Sequence, residues 1–155
     1  MRFDYTSILS SAPDTGDFVV IFRPEISLTV HGPNGSADFL ALVDTGADNT
    51  IFPSSVADLL GIQPRAGRGP AARSFGGQEI SLSYADVELE LAQPDKSFRW
   101  QSRVYFVAED REDQTLILGH QGFLDFFTAT FAGDECALEL EPNCYFPDAA
   151  RANTP

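Results

Sequence analysis

Basic residues are scarce in this sequence. Its 155 residues include 10 Lys and Arg against 23 Asp and Glu, which gives a formal net charge of −13 at pH 7. Binding to nucleic acid requires a positive surface, and adsorption to an anionic membrane requires the same. We therefore expect neither a nucleic-acid partner nor a membrane partner. The simplest role of the excess negative charge is to keep the protein soluble through self-repulsion.

Cysteine is nearly absent as well. Cys136 and Cys144 are the only two cysteines, and both lie near the C-terminus. Two are too few for a disulfide framework, and no Cys/His cluster has the spacing of a metal site. Two reduced thiols are the default prediction, and a single disulfide across this short segment is the alternative.

Long apolar runs are missing too. None approaches the roughly 18–20 residues that a membrane-spanning helix needs. The stretch Met1–Ser10 has no apolar core of the kind found in secretory signals, so we expect a cytoplasmic protein. No repeat or linker divides the chain. We predict a loose N-terminal arm over residues 1–17, a single domain over 18–147 and a flexible tail over 148–155.

What the sequence does contain is a series of short strands. Apolar and polar residues alternate over 26–30, 87–91 and 98–106, which is typical of strands with one face on a core and the other in water. The run Ala37–Val43 is more densely apolar and predicts a strand buried on both faces.

Two short helices interrupt the strands. Ser54 and Ser55 can act as an N-cap for Val56–Leu60, and Gly61 follows where a C-cap belongs. The second helix is predicted over Gln121–Phe127. The fold class is therefore all-β, a small and mostly antiparallel barrel with two short helices.

The chemistry is concentrated where one apolar strand ends. Residues 39–43 run directly into Asp44-Thr45-Gly46-Ala47, and a second apolar stretch soon follows. The strand would fix the carboxylate of Asp44 beside a cleft, and the hydroxyl of Thr45 can be buried and hydrogen-bonded. Gly46 has no Cβ, so the backbone can approach the carboxylate closely. A carboxylate held in this way can activate water if a second acid polarises the scissile carbonyl.

A second Asp-Thr-Gly tripeptide occurs at Asp14, Thr15 and Gly16. No apolar strand precedes it, and Asp17 rather than an alanine follows the glycine. We interpret this copy as a surface turn.

The segment from Asp44 to Thr50, with its flanking strands, resembles the active-site loop of the retropepsin-like aspartic peptidases. That family includes the retroviral enzymes, the eukaryotic DNA-damage-inducible type and soluble bacterial relatives. A later run, Leu116-Ile117-Leu118-Gly119, resembles the family's glycine strand, which packs beneath the catalytic loop. The resemblance covers roughly residues 27–141 and implies a closed acid-protease barrel.

The resemblance also implies a flap, a hairpin that closes over bound peptide. The segment Ser74–Ile80 contains paired glycines between apolar residues and is the candidate, with an ordinary hairpin as the alternative. No metal and no organic cofactor are implied. The predicted site residues are Asp44, Thr45 and Gly46 for catalysis and Ala47, Asp48, Asn49, Phe75, Gly76 and Gly77 for substrate binding.

Catalysis of this type needs two carboxylates facing one water, whereas this chain has one good loop. A bilobal enzyme with both aspartates would need about twice the length, so a twofold homodimer that joins two copies of Asp44 is predicted. Where viral relatives have arginine, this chain has His120, and we considered a pH-sensitive contact with Asp48 against a simple hydrogen bond to a neighbour. The predicted function is an aspartic endopeptidase acting on extended peptides or proteins. The alternative is a non-catalytic peptide-binding or dimerisation module.

Overall fold

The structure is a computed structural model, and it describes residues 1–67, 72–73, 79–107 and 115–147. Its helices are α1 (Ser54–Leu60) and a 3-10 turn (Leu124–Phe126), and its strands are β1 (Arg2–Asp4), β2 (Thr6–Ser11), β3 (Phe18–Arg23), β4 (Glu25–Gly32), β5 (Gly35–Val43), β6 (Ile51–Pro53), β7 (Arg65–Ala66), β8 (Ala72–Arg73), β9 (Glu79–Ile80), β10 (Leu82–Gln93), β11 (Lys96–Val107), β12 (Leu116–Leu118), β13 (Phe127–Ala132) and β14 (Ala137–Pro142).

Six strands close into a barrel in the order β11-β6-β12-β5-β4-β10, because β10 pairs back onto β11. Most pairs are antiparallel, but β12 runs parallel to β5 and β6 runs parallel to β11. Closure joins the two strands that would be the outer edges of an open sheet, although β10 and β11 extend beyond their shorter neighbours β4 and β6. The predicted all-β barrel is confirmed.

The core fills the barrel with the side chains that the alternation predicted to face inward. On β4, Ile26, Leu28 and Val30 are buried, and the matching apolar positions of β10 and β11 are buried with them. The rings of Trp100, Phe127 and Phe146 meet at centroid distances of 5.3–5.9 Å. These aromatic contacts fasten the C-terminal segment to the barrel, since edge-on ring packing adds to the burial of apolar area.

Strand β5 is less buried than predicted. Ala41 and Val43 lie in the core, but Leu40 is exposed and Leu42 is only partly covered. The prediction of burial on both faces is wrong, because β5 belongs to a single barrel wall with the core on one side.

Both helices differ in detail from their predicted form. Helix α1 begins after Pro53 with no side-chain cap, so Ser54 and Ser55 lie inside the helix rather than capping it, whereas Gly61 ends it at φ 69° as predicted. The second helix is only the 3-10 turn. A longer helix cannot form there because Gln121 forms a bridge with Asn49 and Gly122 has φ 95°.

The N-terminal segment is structured rather than loose. Strand β1 pairs with β14, and the N-terminal ammonium donates to the carbonyl oxygen of Leu140 at 2.8 Å. Strands β2 and β3 form a separate hairpin whose turn contains the second Asp-Thr-Gly copy, Asp14–Gly16, exposed as predicted. The predicted domain limits remain predictions, and the predicted tail over 148–155 lies outside the described residues.

Two smaller features complete the description. Cys136 and Cys144 are free thiols. Within the described residues, no helix has the length and apolar character required to cross a membrane.

Candidate active site

The site is built on the parallel pairing of β5 and β12. Register places Leu116 beside Ala41 and Leu118 beside Val43. One residue further on, the backbone N–H of Asp44 donates to the carbonyl oxygen of Leu118 at 3.0 Å. Strand β12, which ends just before Gly119, therefore supports the loop that carries Asp44, as the family resemblance predicted.

Gly46 brings the main chain against the carboxylate. Its N–H donates to Oδ1 of Asp44 at 2.8 Å. A Cβ at position 46 would lie 3.2 Å from the same oxygen, which is tighter than ordinary contact. The hydrogen bond fixes the orientation of a carboxylate that is only partly buried, so its remaining oxygen surface stays accessible.

The loop after Gly46 is fastened by the residues that follow β12. The N–H of His120 donates to the carbonyl oxygen of Ala47, and the N–H of Gln121 donates to that of Asp48, both at 2.9 Å. A Cβ at Gly119 would lie 2.6 Å from the carbonyl oxygen of Ala47 and closer still to that of Asn49. Only glycine fits between these two carbonyls.

The side chain of His120 contacts a different partner from the predicted one. Its Nε2 lies 3.1 Å from the carbonyl oxygen of Thr45, to which it donates a hydrogen bond when it carries the proton. The alternative of a hydrogen bond to a neighbour therefore describes this histidine, rather than the contact with Asp48. In the single chain, both Thr45 and Asp48 are exposed.

Of the remaining predicted site residues, Ala47 and Asn49 lie partly covered on the same loop. Phe75, Gly76 and Gly77 lie outside the described residues. The strands on either side of them, β8 and β9, pair antiparallel. The flap therefore stays a prediction.

Two residues that support the loop of the site were not predicted from the sequence. The hydroxyl of Ser102 donates to the carbonyl oxygen of Gly122 at 2.7 Å, and the indole N–H of Trp100 donates to the same oxygen at 3.3 Å. These bonds hold the turn that follows Gln121 and so hold the loop of the site. A signal was present, because Ser102 is the polar residue in the inward-facing series of β11 between Trp100 and Val104.

One cavity on the described surface, of about 450 Å³, is bordered by residues such as His31, Arg65, Tyr84 and Glu88 and includes no residue of the Asp44 loop. Another, of about 350 Å³, is lined by Leu42 near the end of β5 and by residues of β6 and β12. Among the described residues, no group of three or more His, Cys, Asp or Glu could hold a metal ion.

Comparison with known proteins agrees with this geometry. A family profile described as "Aspartyl protease" matches residues 26–121, which is more than half of the chain and includes both the Asp44 loop and Gly119. The chain belongs to the aspartyl protease family. The family predicted from the Asp44 loop and the glycine strand is thereby confirmed. The matched region of this protease begins in β4 and ends in the turn after β12.

Solved structures with similar folds have low sequence identity to this protease. A retropepsin-like aspartic protease from Rickettsia conorii is 16% identical, with 86% of this chain and 97% of that chain covered and a TM-score of 0.47. EIAV protease complexed with the inhibitor HBY-793 is 19% identical, with 63% of this chain and 82% of that chain covered and a TM-score of 0.47. No curated protein matches the chain.

Proposed function

We propose that this protease is an endopeptidase that hydrolyses extended peptides as a homodimer, with water activated between the Asp44 carboxylates of two copies. The observation that carries the proposal is the way in which the structure anchors the backbone of Asp44 and orients its carboxylate. Its backbone is anchored to Leu118, and its carboxylate is oriented by the N–H of Gly46 while remaining partly open. A rigid and accessible carboxylate is what general base catalysis by water activation needs.

The chemistry requires a second acid on the opposite side of the water. One carboxylate accepts a proton as the water oxygen bonds to the peptide carbonyl carbon, and the protonated partner donates to the carbonyl oxygen. Two carboxylates about 3 Å apart do not both ionise readily, so they share a proton. Aspartic proteases are themselves the established example of this sharing, and the titration belongs to the pair rather than to one residue.

The second Asp-Thr-Gly copy does not provide this partner within one chain. It lies in the exposed turn between β2 and β3, where Oδ1 of Asp14 accepts the N–H of its neighbour Thr15. Among the described residues, no barrel strand hydrogen-bonds to the backbone of this turn. The second carboxylate is therefore assigned to a second copy of Asp44.

The remaining parts of the site have roles that follow from their positions. Asp48 and Asn49, on the loop after Ala47, would contact the backbone of a bound peptide. Residues 75–77 would close over that peptide as a flap and exclude water. The site needs no metal ion or organic cofactor for this chemistry.

The chain offers an internally matched control for the test. A diverse peptide library is incubated with the wild type, with Asp44→Asn and with Asp14→Asn across acidic to neutral pH, and cleavage is followed by mass spectrometry. We expect cleavage by the wild type and by Asp14→Asn and none by Asp44→Asn, with all three folded by circular dichroism.

Two results would contradict the proposal. Cleavage by Asp44→Asn at the wild-type rate would remove Asp44 from the chemistry. Peptide binding by the wild type without turnover at any pH would favour the alternative, a binding module that keeps the fold.

A further inference from the structure

The hairpin of β2 and β3 has one apolar face open to solvent. Leu9 lies opposite Val20 in the register, and Phe18 and Phe22 lie two positions to either side of Val20 on the same face. The exposed fractions of Leu9, Phe18, Val20 and Phe22 are 68%, 76%, 58% and 52%. Together, these four side chains form the hairpin face.

Such a face is unfavourable in water. The two strands pair with each other and with no other described strand, and a two-stranded hairpin is marginally stable by itself. The exposed apolar area is on the order of several hundred Å², at the upper end of what monomeric proteins leave open. A stable interface buries about 800 Å² on each partner, so the hairpin face has the size of a large part of one.

The hairpin is attached beside the catalytic loop. Strand β3 ends at Arg23, and the carbonyl oxygen of the next residue, Pro24, accepts the N–H of Val43 at 3.0 Å. Val43 immediately precedes Asp44. Arg23 also lines the cavity of about 350 Å³ with Leu42 and Ile117. The hairpin therefore leaves the barrel at the end where a second copy of Asp44 would have to arrive.

Charge favours a second copy of the chain as the occupant. Two molecules of net charge −13 repel each other wherever acidic surfaces meet. Strands β2 and β3 contain no acidic residue, and Arg23 is their only basic one. Two copies can therefore approach along these strands with little repulsion, since the acidic residues of the hairpin, Asp14 and Asp17, lie in its turn. A twofold contact uses the same patch on both molecules, which suits a face that is uncharged and mostly apolar, with Ser7 and Ser11 as its polar members.

We propose that the hairpin face joins two copies of this chain and forms part of the dimer interface. The inference rests on the proposed homodimeric function and adds the surface that would hold the dimer together. Because the hairpin is anchored next to Val43, its contact across the twofold axis would also help to set the approach of the two Asp44 loops.

The test replaces the apolar side chains while keeping the strand. The triple variant Phe18→Thr, Val20→Thr, Phe22→Thr removes apolar area but retains a residue type suited to strands. The control is the double variant Leu59→Ser, Tyr145→Ser, which changes residues exposed to 60% and 76% outside the hairpin. Sedimentation velocity over a concentration series gives the dimer dissociation constant, and circular dichroism checks the fold.

We expect the triple variant to raise the dissociation constant at least about tenfold, equivalent to about 1.4 kcal/mol, while the control matches the wild type. Cleavage of the peptide library by the triple variant should fall in dilute solution and recover at high protein concentration. A folded triple variant that dimerises like the wild type overturns the inference, as does a wild type that is monomeric at every concentration.

Failure of the interface and failure of the enzyme give different results. A wild type that dimerises through the hairpin face but cleaves nothing leaves this inference standing and removes the proposed function. If instead the wild type cleaves peptides and the triple variant dimerises as tightly as the wild type, the proposed function stands and this inference is overturned. A last experiment measures flotation of the protein with phosphatidylcholine vesicles. If the wild type binds these vesicles and the triple variant does not, while both dimerise equally, the hairpin face binds lipid and the inference is overturned.

Discussion

Gly119 lies so close to Ala47 that a Cβ at position 119 would be 2.6 Å from the Ala47 carbonyl oxygen. The two residues are far apart in sequence, and their close approach holds the end of β12 against the loop of Asp44. The N–H of His120 further fixes this arrangement by donating a hydrogen bond to the same carbonyl oxygen at 2.9 Å.

Gly119→Ala is therefore expected to destabilise the protease. The methyl group cannot be accommodated without moving the loop, and overpacking of this kind costs about 1–3 kcal/mol. Urea unfolding followed by fluorescence measures the loss. The matched control is Gly133→Ala, because a Cβ at Gly133 meets nothing within 4 Å. Equal stability of the two variants would contradict the close packing described here.

Gly46→Ala should act on catalysis more than on stability. The new Cβ would press on Oδ1 of Asp44 at 3.2 Å and turn the carboxylate away from its hydrogen bond. Misplacement of a reacting group by about 1 Å can cost on the order of a hundredfold in rate, so we expect a fall in kcat/KM of roughly ten- to a hundredfold. Peptide cleavage at saturating protein concentration measures it, and an unchanged rate would show that the orientation of this carboxylate does not matter.

Ser102→Ala removes a buried donor from the turn at Gly122. The carbonyl oxygen of Gly122 would keep only the longer bond from Trp100, and loss of a buried hydrogen bond costs about 1–2 kcal/mol. Ser97→Ala serves as control, since Ser97 is exposed on the same strand. Thermal unfolding of both variants distinguishes them, and a Ser102→Ala protein as stable as its control would rule out this supporting role.

The stability of the protease should depend on pH through Glu90. Burial raises the pKa of Glu90, but hydrogen bonds and charge interactions with Arg99 and His31 lower it by more, so the net pKa is below its ordinary value. A lowered pKa means that the folded state favours the carboxylate. Its contribution is complete above the ordinary pKa of 4.5 and is lost as the pH falls through the lower folded-state pKa.

Glu90→Gln should accordingly be less stable than the wild type near pH 7, by about 1 kcal/mol for such a partly exposed ion pair. The difference should shrink as the pH falls below about 4, where the wild-type carboxylate becomes protonated. Urea unfolding at several pH values measures it. Glu141→Gln is the control, because Glu141 is exposed and has no ion pair among the described residues. A difference for Glu90→Gln that does not vary with pH would argue against the ionic contribution.

Much of the barrel could be predicted from local pattern. Alternation at Ile26, Leu28 and Val30 identified an inward face because side chains of a strand point to opposite sides in turn. The same logic failed for Leu40, whose apolar neighbours suggested burial on both faces. Local pattern cannot tell whether a second layer covers a strand, and among the described residues of the single chain no second layer covers β5 at Leu40.

The hairpin of β2 and β3 shows the same limit from the other side. The apolar run from Phe18 to Phe22 was not assigned to any element, and the segment before it was expected to be loose. Pairing of Thr6–Ser11 with Phe18–Arg23 depends on a turn between them rather than on a strong pattern in β2. Its exposure follows from the position of the hairpin outside the barrel, which no local signal encodes.

The sequence alone favoured Asp44 over Asp14 as the proposed catalytic aspartate. An apolar strand leads into Asp44 and none leads into Asp14. Because a strand holds the residue at its end rigidly, this difference predicts rigid support for the carboxylate of Asp44 and none for that of Asp14. Only the tertiary structure decided what holds the loop in place. The contacts of Gly119 with Ala47, of His120 with Thr45 and of Ser102 with Gly122 join segments that are separated along the chain, and their distances are set by closure of the barrel rather than by any neighbouring residues.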